Sequence, residues 1–352
     1  MPRLGPNAES LLRGSPAPAR RRAPRHVKDT VTHDTTSSMR APKTLSTDAA
    51  ASGPASMTTF KARFDAYLAL TKPRVIELLL VSTLPVMFLA SRGLPDWRLA
   101  LATLIGGYLA AGSANTFNCV IDADIDEKMR RTRRRPLPRH TVAPRNALVF
   151  GILIGVAATL ILGLGANWLS AGLALAANLF YVFIYSLLLK RRTWQNTIWG
   201  GIAGCFPPLI GWTAVTGRVG WEPLVLFLLV FFWTPPHTWA LGLRYREDYA
   251  AGGVPMLPVV RDAPAVATQI LVYTVVAVLT SLVLWPVAQM NWLYPAVCVV
   301  AGAIFMWEAV QLLRRARAGL RDAQLKPMRL FHWSNTYLSL VFLAVAIDPL
   351  LP

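Results

Sequence analysis

Nine long apolar runs follow one another along this chain, and they constrain its fold more than any other feature. Most of them reach the roughly 20 residues that an α-helix needs to cross a bilayer. Charged residues make up 15% of the chain, against about 25% in a typical soluble domain. The sequence therefore predicts an all-α fold, a polytopic membrane bundle of nine transmembrane helices. Their approximate ranges are 75–91, 98–120, 146–165, 167–189, 196–216, 222–243, 265–287, 292–313 and 331–351.

The charges between the runs predict how the bundle sits in the membrane. The connections at one end carry twenty Lys and Arg residues, whereas those at the other end carry Arg92, Arg98 and Arg218. Cytoplasmic loops usually hold such an excess. We therefore expect a cytoplasmic N-terminus and a C-terminus on the outer side of the bacterial inner (plasma) membrane, with the mitochondrial inner membrane as the alternative. Topology thus explains the net charge of +18 and argues against a nucleic-acid partner.

Residues 1–60 differ from the rest of the chain in composition. They are rich in Ala, Pro, Ser, Thr and Arg, and they lack the apolar core of a secretory signal. We expect a disordered basic tail there. The alternatives are an overlong start, with Met39 or preferably Met57 as the true first residue, and a mitochondrial transit peptide. Residues 61–352 form the predicted nine-helix domain.

Three side chains that carry oxygen ligands are spaced four residues apart at the end of the second run. Asn118, Asp122 and Asp126 would lie along one stripe of a helix, since four residues advance about 400°. Ionisable groups at membrane depth are costly and usually mark a functional site. Such ligands suit Mg²⁺, which binds through one or two carboxylates together with substrate phosphates. The spacing alone also fits an interfacial helix end with solvated acids.

Arginines follow the acidic stripe closely. Five of them lie between residues 130 and 135, directly before a Pro-Leu-Pro sequence. Arg binds phosphate through paired N–H donors, and cations stabilise the charge that develops on a diphosphate leaving group. Membrane topology explains some of these arginines, but not the combination of acids and arginines at one membrane face. The pattern predicts a metal-dependent diphosphate site.

The combined pattern resembles the first motif of the UbiA-type prenyltransferase superfamily. The matching positions are Asn118, Asp122, Asp126, Arg131, Thr132, Arg135, Pro136, Leu137 and Pro138. The resemblance implies a nine-helix bundle that binds an isoprenyl diphosphate through Mg²⁺ and alkylates an acceptor. It also implies that Asn118, Asp122 and Asp126 hold the metal and are catalytic, with Arg131 and Arg135 binding substrate.

Three further stretches resemble the heme-farnesylating branch of that superfamily, at 70–80, 189–212 and 233–260. Overall the match covers about residues 65–345. It implies transfer of the farnesyl group of farnesyl diphosphate to a vinyl group of protoheme IX, giving heme O and diphosphate. The implied partners are these two substrates, membrane lipid and, downstream, a heme A synthase.

The second acidic motif of the superfamily is incomplete in this chain. Asp248 fits it, but the position four residues earlier is Arg244. The resemblance then implies a single catalytic carboxylate, Asp248, with cationic and phenolic neighbours that bind substrate. These neighbours are Tyr245, Arg246 and Tyr249. The sequence leaves open whether a second Mg²⁺ binds.

Further substrate-binding residues are expected at the same end of the bundle. The basic stretch Lys190, Arg191 and Arg192 belongs to the resemblance. Candidates for holding the heme propionates are Lys72, Arg74, Arg192, Arg244 and Arg246, for which charge that only sets topology is the alternative. His237 could ligate heme iron as a neutral imidazole, or it could be a hydrogen-bonded structural residue.

Two other functions fit part of the sequence. A quinone-precursor prenyltransferase would share the first motif but should carry the complete second one. A non-catalytic membrane transporter would be favoured by inverted repeats and by helices broken at mid-membrane. The acids of this chain lie at one membrane face instead.

Overall fold

A computed structural model describes residues 60–351, except for the side chains of Leu78 and Leu79. Every regular element in this range is helical. The α-helices are α1 (Phe60–Thr71), α2 (Pro73–Ser91), α3 (Trp97–Ile121), α4 (Ala123–Lys128), α5 (Pro144–Gly165), α6 (Trp168–Leu179), α7 (Asn196–Gly200), α8 (Phe206–Thr216), α9 (Trp221–Arg244), α10 (Arg246–Ala251), α11 (Leu257–Val260), α12 (Ala263–Val287), α13 (Leu293–Arg317) and α14 (Pro327–Ile347). A π-helix, Phe180–Leu189, continues α6, and 3₁₀ segments lie at Gly201–Cys205, Asp322–Leu325 and Asp348–Leu350.

Nine long helical segments of the described chain correspond to the nine predicted spans, so the predicted fold class is confirmed. Seven are single helices, and two are composite: α6 with the π-helix, and α7 with α8 through a 3₁₀ turn. Eight of the nine are long and apolar enough to cross a membrane. The other, α3, has 25 residues, but its second half carries Ser113, Asn115, Thr116 and Asn118. These polar residues mark where the functional site begins.

The bundle is held together by helix pairs that bury aromatic and aliphatic side chains. Helix α3 packs on α5, α12 packs on α9 and α13, and α2 packs on α8 and α14. The fully buried Trp239, Phe305, Tyr337 and Phe342 fill the centre of the α9, α13 and α14 group. On the outside, long helices expose large apolar residues such as Leu153 and Val300, which a soluble protein buries much more often. Lipid is the solvent that suits such a surface.

One end of the bundle holds the connections rich in Lys and Arg, and we call it the basic end. It comprises residues 122–143, 190–195, 245–262 and 318–326. Short helices α4, α10 and α11 lie within these connections, and α1 precedes the first span. The hydropathy pattern predicts none of these four helices, because each is well short of the length that a membrane span needs. The predicted tail and its alternative starts at Met39 and Met57 lie outside the described residues.

Candidate active site at the basic end

The acidic stripe begins where α3 ends. Helix α3 stops at Ile121, Asp122 has φ −97° and ψ 8°, and α4 begins at Ala123. The backbone N–H of Asp122 still donates to the carbonyl of Asn118 at 3.0 Å, and that of Asp126 to the carbonyl of Asp122 at 2.8 Å. The stripe is therefore divided between two helices rather than lying on one, but it keeps helical spacing.

Asp122 lies at the centre of a buried polar cluster. Its Oδ2 accepts a hydrogen bond from Asn118 Nδ2 at 2.7 Å and forms an ion pair with Lys190. The Oδ1 of Asn118 accepts from Lys72 Nζ at 2.6 Å, while its Nδ2 also lies 3.0 Å from Ser186 Oγ. Three segments of the chain, at residues 72, 118–122 and 186–190, thus meet in this cluster. Burial lowers the pKa of Lys72 to about 8, so its ammonium is still mostly charged at neutral pH.

The other oxygen of Asp122 fits a cation. Oδ1 is fully buried and has no hydrogen-bond partner among the described residues. A buried carboxylate oxygen without a partner is costly. A hard divalent cation would satisfy it, with the nearby acid Asp126 and substrate phosphates as further oxygen ligands. The described residues contain no group of three or more His, Cys, Asp and Glu side chains arranged for a metal, so substrate oxygens would have to complete the shell.

Asp126, one turn further along, is buried and paired with Arg135. Arg135 Nη1 donates to both carboxylate oxygens, at 2.9 and 2.7 Å. Thr132 Oγ1 donates to the backbone carbonyl of Asp126 at 3.0 Å and so fixes the turn that returns Arg135 to the acid. The Asp126 carboxylate raises the pKa of Arg135 against the opposing effect of burial. The structure brings together the acid and the arginine that the sequence motif combines.

Asp248 lies in a separate cluster that joins two connections of the basic end. Its Oδ1 accepts from Arg130 Nε and its Oδ2 from the backbone N–H of Arg131, both at 3.2 Å. The Arg131 guanidinium lies over the rings of Tyr245 and Tyr249, at 5.6 and 5.8 Å from their centroids. Asp248 therefore bonds to the stretch that carries Arg130 and Arg131, and Tyr245 and Tyr249 pack against Arg131. The catalytic role of Asp248 and the substrate-binding roles of the two tyrosines stay predictions.

The three adjacent basic residues after the π-helix have three different environments. Lys190 points inward to Asp122, whereas Arg191 forms a two-bond ion pair with the exposed Asp124 at 2.8 and 2.6 Å. Hydrogen bonding to Arg191 holds the pKa of Asp124 below its usual range. Arg192 is exposed. Of the three, only Lys190 reaches the buried cluster.

The remaining predicted cations lie exposed around a cavity or on the surface of the basic end. Arg244 and Arg246 line a cavity of about 560 Å³ together with Arg130, Arg131 and Asp248. Arg74 is exposed in the first turn of α2. Glu247 and Asp322 also line the cavity, so four arginines face three carboxylates there.

An apolar cavity of about 170 Å³ opens beside the polar cluster. Small residues of α3 form one wall: Gly107, Ala110, Ala111 and Ala114. Their spacing places them on one helix face. Asn115 and Tyr181 line the same cavity, and Asn115 Nδ2 donates to the carbonyl of Thr71, beside Lys72, at 2.9 Å. The cavity therefore runs from the polar cluster into the apolar bundle.

His237 lies in α9, within the bundle. Its imidazole stacks on Trp233 and on Phe331, with ring centroids at 4.3 and 4.5 Å. Nδ1 lies 2.9 Å from Ser334 Oγ on α14. Among the described residues, His237 makes no contact with the buried polar cluster around Asp122.

Sequence reasoning missed several residues of the site. Ser186, Tyr181 and Tyr185 come from the π-helix, where the ring of Tyr185 stacks on Tyr181 and lies 6.0 Å from Lys190 Nζ. A serine or tyrosine within a long apolar run has no distinctive spacing. The small-residue stripe of α3, by contrast, is visible in the sequence and could have predicted the apolar cavity.

Solved structures share the helical arrangement of this chain. A structure of digeranylgeranylglyceryl phosphate synthase matches with a TM-score of 0.67 at 16% identity, covering 82% of this chain and 99% of the other. A UbiA homologue from Archaeoglobus fulgidus, bound to GPP and Mg²⁺, matches with a TM-score of 0.57 at 14% identity, covering 80% and 99%. At such identities the likeness establishes the helical fold alone.

Sequence similarity identifies the family of this chain. Residues 79–335 match the UbiA prenyltransferase family, to which this chain belongs. The protoheme IX farnesyltransferase of Cutibacterium acnes is 76% identical over 81% of this chain and 85% of its own length. Proteins of the same name from Nocardioides sp. and Streptomyces avermitilis are 61% and 55% identical, covering 81% and 83% of this chain and 91% and 96% of their own. The protein is thus an integral membrane protein of an enzyme family.

Proposed function

We propose that this protein transfers the farnesyl group of farnesyl diphosphate to a vinyl group of protoheme IX, giving heme O and diphosphate. The observation that carries the proposal is the buried Asp122, which has one oxygen paired with Lys190 and the other without a partner among the described residues. The choice of protoheme IX as acceptor is supported by the relatives named protoheme IX farnesyltransferase, which are 55–76% identical to this chain over most of their length. The same relatives favour prenyl transfer to heme over a quinone-precursor acceptor or simple transport.

The polar cluster would hold the diphosphate. Asn118, Asp122 and Asp126 would bind Mg²⁺, and Lys190, Arg131 and Arg135 would contact phosphate oxygens directly. Bound Mg²⁺ would neutralise charge on the diphosphate and so favour its departure. Arg135 occupies both oxygens of Asp126, and it would turn from the carboxylate to the phosphates when substrate binds.

The apolar cavity would hold the farnesyl chain. Its α3 wall extends from Asn115 to Thr103, which is about 18 Å of helix at 1.5 Å per residue. An extended farnesyl chain has a similar length. Small residues along this wall leave room for the branched methyl groups. Tyr181, which also lines the cavity, accepts a hydrogen bond at its backbone carbonyl from Ser186, the residue that contacts Asn118 of the polar cluster.

The chain's residues would orient and ionise substrates rather than react covalently. The C1–O bond of farnesyl diphosphate breaks, diphosphate leaves with both electrons, and the vinyl carbon of protoheme bonds to C1. Water then adds to the resulting heme-stabilised cation and releases a proton, which leaves a hydroxyethylfarnesyl group. The ring face of Tyr181, beside the cavity, can stabilise the allylic cation. Alignment of two large substrates supplies much of the rate.

The same proposal gives the protein a location and partners. The basic end would face the cytoplasm of a bacterial inner membrane, because positive loops are retained there. The N-terminus would then be cytoplasmic and the C-terminus on the outer side. Membrane lipid surrounds the bundle, and a heme A synthase would consume the product.

Purified protein in detergent, supplied with farnesyl diphosphate and Mg²⁺, tests the proposal. We expect diphosphate release only when protoheme IX is added, together with a more hydrophobic heme on reversed-phase chromatography. 4-Hydroxybenzoate serves as the matched alternative acceptor. Prenylation of 4-hydroxybenzoate without any reaction of heme would contradict the proposal and favour the quinone-precursor function.

A further inference from the structure

His237 has one open edge. Trp233 and Phe331 both stack on its ring, with interplanar angles of 21° and 28°. Two rings at 4.3 and 4.5 Å cannot share one face, so the imidazole lies between them. The Nδ1 edge contacts Ser334. The structure gives Nε2 no hydrogen-bond partner among the described residues, and the side chain is only partly buried.

Hydrogen bonding determines which ring nitrogen carries the proton. Ser334 Oγ donates its single proton to the carbonyl of Phe331 at 2.7 Å. With the proton assigned to this shorter contact, the serine oxygen accepts in its 2.9 Å contact with His237, and Nδ1 donates. Nε2 is then left with its lone pair. A histidine that donates from one nitrogen and presents the other bare is arranged as a metal ligand.

Other contacts hold this arrangement rigid. Trp233 Nε1 donates to the carbonyl of Ser334 at 2.8 Å, so α9 and α14 are tied together on both sides of the imidazole. The direction of Nε2 is thus fixed before any ligand arrives. Apolar rings around a bare imidazole nitrogen suit a flat, largely apolar metal complex better than a hydrated ion.

The helix that carries His237 also carries a cation, Arg244, nearer the basic end. Arg244 follows His237 by seven residues, which is nearly two turns and therefore the same face, about 10 Å closer to the basic end. Arg244 is exposed and lines the cavity of about 560 Å³, where four arginines face the carboxylates of Glu247, Asp248 and Asp322. A metal ligand within the bundle and cations at its surface fit a metalloporphyrin whose carboxylates point outward.

We propose that His237 Nε2 is the axial ligand to the iron of the heme acceptor, that Ser334 sets its tautomer, and that Arg244 pairs with a heme propionate. The proposal rests on the proposed function, since it assigns the acceptor site of that reaction. It assigns the α9–α14 face to heme, whereas the cavity along α3 holds the isoprenyl chain. Arg244 takes the propionate because it shares the helix face of His237.

Heme binding by the full-length protein in detergent tests the proposal, with ferric protoheme IX and metal-free protoporphyrin IX as probes. His237→Ala should shift the Soret maximum and weaken heme affinity at least tenfold, but leave metal-free protoporphyrin affinity unchanged. Ser334→Ala should weaken heme affinity about 10–100-fold, the usual cost of losing a ligand's supporting hydrogen bond. Arg244→Ala should weaken both probes several-fold, whereas Arg218→Ala, at the other end of the bundle, should weaken neither.

A second pair of variants distinguishes loss of the iron ligand from misfolding. His237→Gly should regain the wild-type Soret maximum when imidazole is added, which an unfolded protein cannot do. His332→Ala, on α14 next to Phe331, should leave the spectrum unchanged. An unchanged spectrum in His237→Ala, or a shift in His332→Ala instead, would overturn the assignment. Farnesyl transfer is measured separately, so failed turnover with intact His237-dependent heme binding would count against the proposed reaction alone.

Discussion

At the scale of single residues, the site depends on a buried carboxylate that is only partly paired. Asp122 is fully buried, and Lys190 and Asn118 stabilise only one of its two oxygens. Removing one partner of a buried ion pair costs about 3–5 kcal/mol, because the remaining charge is left uncompensated. A carboxylate held half-satisfied in this way is ready for a cation that arrives with the substrate.

Asp122→Ala and Asp126→Ala should each abolish farnesyl transfer, because each removes an oxygen ligand of the proposed Mg²⁺ site. Asn118→Ala should lower turnover to a similar or slightly smaller extent. Steady-state diphosphate release at saturating Mg²⁺ measures the effect.

The matched control is Asp124→Asn, on the same short helix. Asp124 is exposed and bonds to Arg191 rather than to the buried cluster. Its loss should lower turnover much less than that of Asp122. Wild-type rates in all three site variants would contradict the assignment of the diphosphate site.

Spacing predicts some residues of this site and not others. Asn118, Asp122, Asp126 and Arg135 belong to a pattern whose members must share a helix face or a tight turn, so the sequence reveals them. By contrast, three consecutive basic residues follow the π-helix, and nothing in their order shows that Lys190 alone turns inward. That choice depends on the wider turn of the π-helix, which tertiary packing decides.

At the scale of elements, α3 has two roles because one of its faces is lined with small residues. The apolar cavity is lined on this face by Gly107, Ala110, Ala111 and Ala114. Asn118 and Asp122 follow at the C-terminal end of α3. The position of the wall along α3 should therefore set the length of isoprenyl chain that fits.

Gly107→Phe should shorten the accepted chain. A side chain built at Gly107 meets no atom within 4 Å, so the new ring would occupy the cavity rather than displace a helix. We expect a loss of farnesyl transfer and a preference for geranyl diphosphate in competition assays. Gly172→Phe, on the exposed face of α6 with equally open surroundings, should keep the farnesyl preference. Unchanged farnesyl preference in Gly107→Phe would place the chain elsewhere.

Close helix packing should be equally sensitive at Gly211. A Cβ there would lie 2.6 Å from the carbonyl oxygen of Thr83, a backbone atom that cannot turn aside. Gly211→Ala should therefore separate α8 from α2 and cost about 1–3 kcal/mol of stability, as overpacking usually does. Thermal unfolding in detergent measures it, against Gly172→Ala, which should be neutral. A Gly211→Ala protein as stable as wild type would show that α8 and α2 accommodate the added methyl group at little cost.

Apolar periodicity predicts the number of long helices but not their internal breaks. The run 167–189 is one span in the sequence, yet it changes from α- to π-helix at Phe180. A wholly apolar segment looks alike in either form, and the hydrogen bond from Ser186 Oγ to the carbonyl of Tyr181 becomes visible only in the fold. The short helices at the basic end escape prediction because they are too small to show a period.

At the scale of the whole molecule, the basic end joins connections that are far apart in sequence. Asp248 and Arg130 link the connections 122–143 and 245–262, and Ile125, Met129, Val254 and Met256 pack together beneath that link. The site is thus enclosed by segments far apart in sequence, which spacing alone could not bring together.

Deleting residues 2–56 should leave farnesyl transfer intact, because the sequence of that stretch has no apolar pattern that could form a core or a membrane span. Turnover and thermal stability of the purified, membrane-inserted truncation measure this. A normal melting temperature with lost turnover would show that the tail contributes to the reaction.

The hemes made in a cell test the central claim most directly. A strain that lacks heme farnesylation would receive this chain or its Asp122→Ala variant, and its extracted hemes would be separated by reversed-phase chromatography and identified by mass. The account predicts heme O with the wild-type chain and only protoheme IX with the variant. Protoheme IX alone with a stably inserted wild-type chain, or heme O with the variant, would contradict it.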